Sequence, residues 1–297
     1  MTNGIYTNLC FQLEKLRRHN RQGARQTRRR YEEAMRRFLR FLAEVYHLQK
    51  MANISEKHLL AYVGDMQKRD LSAAFIKTEL SGIRFWHDKI SNPRYTLPDN
   101  SQLNLECRST GKINHAWSGE EFRKFIDTCS EHGRRDYIAA AVLARFCGLR
   151  IHECFRLDRA DAERAIKTRT LMVKGKNGLI REVPINQNVE TELRKMLEVT
   201  KRGCKLFVDD TQTHLAINQF QKFIIEHRNK FQSVARECPL HFHGLRYAFA
   251  QEIYLSLAES GWSETEAKRK LSRSLGHRRL DVVDIYLAGL NKKRDSG

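Results

Sequence analysis

Tyr31, Met35, Phe38, Leu42 and Val45 recur every three or four residues, which is the period of one face of an α-helix. Thr27 has the side chain that caps a helix starting there. Arg29, Arg36, Arg37 and Arg40 lie mostly off the apolar stripe, so one face is suited to burial and the rest is cationic, as on a helix that faces phosphates. A second helix, capped by Ser55, carries Leu59, Leu60 and Val63, and a third spans 72 to about 90 on Phe75, Ile76, Leu80, Ile83 and Trp86. Phe85 and Trp86 are expected in the core, and Lys68, Lys77 and Arg84 are the candidates for contacts to a bound duplex. Between 91 and 115 the helical period lapses. Asn92, Pro93, Pro98, Asn100 and Gly111 give that stretch the composition of a connecting segment.

Beyond it the helical period returns. Ser118 and Glu121 form a capping box, and a helix over 136–147 presents Ile138, Ala141, Val142, Leu143 and Phe146 before Gly148 ends it. The period then shortens: 170–173 and 180–185 predict two strands, with Lys174, Gly175, Lys176, Asn177 and Gly178 as their turn. Helices are expected at 188–198 and 216–230. In HFHGLRYAFAQEIY, His243 and Arg246 are three apart and share a helical face, while Tyr247, Phe249 and Ile253 serve the core. Ser263 and Glu266 open another helix that Gly276 can close. Tyr286 follows His277 by nine residues, which on an unbroken helix is about half a turn away from it. For the two to meet one ligand, the chain must turn near 278–280 and start a fresh helix. The pattern as a whole predicts a mainly α protein: a helical domain over 1–108, the end of a linker at 109–115, and a mixed α+β domain with a small antiparallel sheet over 116–297.

Composition adds a polyanionic partner. The chain has 54 Lys and Arg against 35 Asp and Glu, a net charge of +19. The first 108 residues hold 20 basic and 11 acidic side chains, the remainder 34 and 24, so both domains are basic and could close around a duplex as a clamp. Hydrophobic residues make up 41%, enough for two cores, and the scarcity of Gly (16) and Pro (4) favours helices over a sandwich. Seven scattered cysteines without a CxxC pair support neither a disulfide framework nor a zinc site, and Cys147 and Cys154 read as core thiols. With no signal-like segment and no run near ~18 apolar residues, the expectation is a reducing, soluble compartment and no membrane partner.

The candidate chemistry lies in Arg150, Lys176, His243, Arg246, His277 and Tyr286. Each alone is more often structural than catalytic. Together they suit a phosphodiester that is held, charged and cut. Two guanidinium groups can offer paired donors to non-bridging oxygens. His277 can add another hydrogen bond. Tyr286 can attack phosphorus, once His243 or the arginine field helps remove a proton of ordinary pKa about 10. Lys176 can protonate the departing 5′ oxygen. Neither a metal nor another cofactor is required. Lys174, two residues away on the same side of a strand, is the alternative acid.

The ordered set GLRIHE from Gly148, HGLRYAFA from His243 and LGHRRLDVVDIY ending at Tyr286 resembles the tyrosine recombinases of the phage integrase and Xer type, over nearly the whole chain. The resemblance implies a core-binding domain followed by a catalytic domain, a 3′-phosphotyrosyl intermediate, and site-specific recombination through a Holliday junction. It implies a homotetramer on two double-stranded recombination sites, accessory DNA-bending or directionality proteins, and a cytoplasmic, nucleoid-associated enzyme of integration, excision or resolution, as on a mobile element. Glu153 matches an acidic position that supports the catalytic frame. The family's lysine hairpin often reads GKGxKxR, whereas this chain has GKNGLIR. The end of the chain, LAGLNKKRDSG, matches a segment that family members pass to a neighbouring subunit, with Leu287 and Leu290 as the docking side chains. Relaxation by a type IB-like topoisomerase would use the same chemistry. A DNA-binding architectural protein would need none of it.

Overall fold

The computed structural model describes residues 2–20, 22–23, 25–106, 113–175, 178–208, 211–276 and 279–290. The chain divides into two units, Met1–Ser109 and Thr110–Gly297.

In the first unit, α1 (Thr2–Arg18) and α2 (Arg25–Val45) are followed by α3 (Glu56–Lys68) and α4 (Ala73–His87). The stripe on α2 is buried as its spacing predicts: Met35, Phe38 and Leu42 are inaccessible to solvent. It ends one turn early, with Val45 exposed. The helix also begins before Thr27, which therefore lies in its first turn; Arg25 and Gln26 are good helix formers that extend the turn backward. Helix α1 lies outside the expectation drawn from sequence, although Leu9 and Leu13 bury one face of it at a four-residue spacing. Ser72 caps α4 by accepting from the Phe75 N–H at 3.2 Å, and Trp86 is a core residue.

The cationic face of α2 is largely paired within the protein. Arg29 meets Glu33 at 3.0 Å, Arg36 meets Glu32 at 2.8 Å, and Arg37 meets the buried Glu79 at 2.7 Å. Arg40 lies over the Tyr6 ring. Exposed pairs such as Arg29–Glu33 contribute only about 0–1 kcal/mol, so an incoming phosphate can displace them. Two of the side chains proposed to contact the duplex also bond within the protein. Arg84 donates to the Pro98 carbonyl and to Asn100, and Lys77 donates to the Glu106 carbonyl. They hold the connecting segment against α4, a role that sequence could not separate from base contact.

In the second unit the order is α5 (Gly119–Glu131), α6 (Arg135–Cys147), α7 (Ile151–Cys154), α8 (Arg159–Thr168), β1 (Thr170–Lys174), β2 (Ile180–Pro184), α9 (Gln187–Val199), α10 (Thr213–Phe231), α11 (His243–Glu259), α12 (Glu264–Leu275) and α13 (Asp281–Tyr286). The strands form an antiparallel hairpin with Leu171 opposite Val183 and Lys174 opposite Ile180. Alternation buries Leu171, Val173 and Val183 and exposes Met172 and Ile180. One core gathers Tyr137, Phe125 and Phe220 with the buried face of the hairpin; a second gathers α11, α12 and α13. Full burial of each such aromatic contributes about 1.5–3 kcal/mol. Gly148 and Gly276 end α6 and α12 in the left-handed conformation, at φ 61° and 68°. At Gly148 a Cβ would also collide with the Phe249 ring. Helix α12 stops and α13 starts afresh, the break that the spacing to Tyr286 required. Leu287 is buried in this unit's own second core and Leu290 packs against it.

Candidate active site

Arg246 is the centre of the site. It leaves α11 one turn after His243 and is fully buried. Its two terminal nitrogens donate to backbone carbonyls: one to Gly148 at the end of α6, the other to Leu275 at the end of α12, the latter at 2.5 Å. Both carbonyls belong to helix C-termini, which carry partial negative charge and lack intrahelical donors. The remaining nitrogen, Nε, donates to the Tyr286 hydroxyl at 3.3 Å. A fork of paired donors toward phosphate was expected of Arg246; here the fork holds the frame, and Nε faces the hydroxyl. Burial, foremost, pushes its pKa down to about 10, against the opposing influence of the Tyr286 ring and Glu153, so it stays charged at neutral pH.

Arg150 comes from the turn between α6 and α7 and is one-fifth exposed. Its orientation is set by Glu153, which accepts from the Arg150 backbone N–H at 2.9 Å and from its guanidinium at 3.0 Å. The same carboxylate takes a bidentate pair from Arg181 on β2, at 3.0 and 2.7 Å, and lies 3.9 Å from Arg246. Burial alone would push the Glu153 carboxyl up. The Arg181 hydrogen bonds, the Arg150 N–H and the charges of Arg181 and Arg246 outweigh it and hold the group at about 2. Glu153 is thus a buried anion shared by three arginines. Arg181 was missed in sequence; its signal was a charged residue placed on the inward side of a strand otherwise alternating toward the core.

His243 keeps a solvent-exposed face, but its Nε2 points inward to the Tyr286 hydroxyl at 3.4 Å. Desolvation of that inner edge, then the charges of Arg246 and Arg150, push its pKa down to about 4. The imidazole is neutral at physiological pH and has a lone pair to accept the phenolic proton. Tyr286 is buried beneath it, its ring 4.7 Å from that of Tyr247. Four of the six candidate residues, Arg150, His243, Arg246 and Tyr286, are therefore gathered around Glu153 and one hydroxyl. The other two, Lys176 and His277, lie outside the described residues. Lys174 ends β1 with its side chain exposed. Among the described residues, no three His, Cys, Asp or Glu side chains are grouped to hold a metal ion.

Residues 117–293 match the phage integrase family model, and residues 13–88 match the N-terminal SAM-like domain of phage integrases. No curated protein matches the chain by sequence. Among solved structures, the Tn1549 transposon integrase in complex with transposon right end DNA is 16% identical, with TM-score 0.64 and coverage of 97% of this chain and 98% of that one. A lambda integrase tetramer bound to a Holliday junction is 15% identical, with TM-score 0.63 and coverage of 93% and 75%. The XerH site-specific recombinase bound to its difH substrate is 19% identical, with TM-score 0.57 and coverage of 91% and 78%. At such identities these likenesses are likenesses of fold, whereas the integrase model spans more than half of the chain. The chain belongs to the phage integrase family and is a tyrosine-type site-specific DNA recombinase.

Proposed function

We propose that Tyr286 is the nucleophile that cleaves and rejoins DNA, with 116–297 as the catalytic domain and 1–108 as the core-binding domain on the same duplex. The observation that carries this is the Tyr286 hydroxyl held between Arg246 Nε and a neutral His243 Nε2, 3.3 and 3.4 Å away. Oη attacks phosphorus as its proton passes to His243. The bond to the 5′ oxygen breaks, and the tyrosine carries the 3′ phosphate. Arg150 meets the charge that develops on the non-bridging oxygens, and Arg246 supports it with its positive charge from within the frame. His277 adds a hydrogen bond there, and Lys176 returns a proton to the 5′ hydroxyl, Lys174 being the alternative. The phosphotyrosyl bond retains the energy of the broken diester. The 5′ hydroxyl of a second duplex can therefore reseal the strand without ATP.

The DNA and Holliday-junction complexes of the structural relatives support a homotetramer that joins two recombination sites through such a junction. The transposon integrase supports a mobile element as its setting, with DNA-bending or directionality proteins as accessories. No described helix is long and apolar enough to cross a membrane; cytoplasm and nucleoid are the proposed location.

The test is a labelled nicked suicide duplex carrying a site selected from a random duplex library by the full chain. The wild type is expected to form a covalent adduct and Tyr286→Phe none; an adduct in Tyr286→Phe would refute the nucleophile. Separate substitution of Lys176 and Lys174 assigns the acid. Relaxation of supercoils without any site preference would favour a topoisomerase.

A further inference from the structure

Helix α13 has six residues, too few to hold itself in place, yet it carries Tyr286. Its C-terminal carbonyls end in a buried polar cluster. Gln251, on α11 five residues beyond Arg246, is 7% exposed. Its side-chain nitrogen lies 3.0 Å from Asn114 Oδ1, 3.1 Å from the Tyr286 carbonyl and 3.2 Å from the Ala288 carbonyl. All three partners are acceptors, so the amide must present its NH2 to them, and its two hydrogens are shared among three oxygens. Asn114 Oδ1 also accepts from the Ala116 N–H at 3.0 Å. The chain closes on Asn114 from the other side through Gly289, at φ 87°, where a Cβ would come within 2.7 Å of the Asn114 Cβ.

We propose that Gln251 and Asn114 form an amide latch that positions the nucleophile, a role that rests on Tyr286 being that nucleophile. The latch fixes the backbone immediately around Tyr286. Without it, the hydroxyl loses its register with His243 Nε2 and Arg246 Nε while Arg150 stays in place. Asn114 is the fifth residue of the second unit, which begins at Thr110. The same amide that steadies the nucleophile therefore also secures the chain where it enters that unit. Gln251 and Asn114 are positioning residues: neither touches the reacting atoms.

The test uses the full chain and single-turnover adduct formation on the selected suicide duplex. Gln251→Met removes the donor at similar volume, and Asn114→Ala removes the acceptor at a position with an exposed side chain; thermal unfolding checks that both variants fold. Both are expected to slow adduct formation on the order of 10- to 100-fold, the cost of misplacing a reacting group by about 1 Å, with duplex affinity unchanged. Asn114→Asp, which keeps the acceptor oxygen, recovers the rate to within a few-fold. A duplex with sulfur at the 5′ bridging position needs no proton on its leaving group, so it rescues a general-acid defect and leaves a misplaced nucleophile slow. Wild-type rates in both variants, or rescue of either by the sulfur substrate, would overturn the latch alone. Absence of any adduct with the wild type would overturn the nucleophile and the latch together.

Discussion

Replacing Glu153 with glutamine keeps the shape of the side chain and removes its charge. In the folded chain that carboxyl is held at about 2 against an ordinary 4.5. It is fully buried, so solvent screening takes little from the interaction, and the depression is worth about 3 kcal/mol. Loss of one partner from a buried ion pair gives a similar figure, about 3–5 kcal/mol. Because the folded pKa is depressed, this contribution is fully present above the unfolded value of 4.5 and is lost as pH falls through about 2. Urea unfolding of wild type and Glu153→Gln should therefore differ by about 3 kcal/mol at pH 7, narrowing to about 1 kcal/mol at pH 3. At pH 7 the loss corresponds to roughly 6–12 °C in Tm for a unit of this size. A difference below about 1 kcal/mol at pH 7, or one that does not shrink at pH 3, would refute the assignment of Glu153 as a charged keystone.

Gly244→Ala places a methyl against the His115 carbonyl oxygen and the Trp117 ring; thermal unfolding should show a loss of about 1–3 kcal/mol, with cleavage impaired because His243 and Arg246 flank the site. The His243 imidazole, at about 4, is neutral above that value, so the cleavage rate should show no step near pH 6.5 and fall only as pH drops through about 4; a step at 6.5 that His243→Gln removes would contradict this. A thiol reagent should label Cys204, which is exposed, and leave Cys129, Cys147 and Cys154 unmodified until denaturant is added, since burial holds all three thiols well above their ordinary range; mass spectrometry of the labelled peptides reads the outcome.

Much of this site is local in sequence and so was legible there. Gly148 and Gly276 announce helix ends because few other residues accept their backbone, and the step from His277 to Tyr286 demanded a break that the chain provides. What escaped detection depends on the fold. Arg181 belongs to the site only because the hairpin packs beside α7, and Gln251 only because α13 returns to α11. The cationic face of α2 was visible, but not its pairing with Glu79, which is 42 residues away in sequence. Lys77 and Arg84 show the same limit: a basic side chain that steadies a loop and one that meets DNA look alike in a sequence.

The bond pattern of Arg246 bears on how variants of this enzyme are to be interpreted. Because its terminal nitrogens join the ends of α6 and α12, any substitution there is a compound perturbation. On the proposed mechanism it removes a transition-state charge, and it also releases the segments that present Arg150 and Tyr286. An inactive Arg246 variant would therefore confuse broken chemistry with a loosened scaffold. Arg150 stands at the solvent edge, its backbone turn separately fastened by Glu153. It is the cleaner place to ask how much one positive charge contributes to strand cleavage.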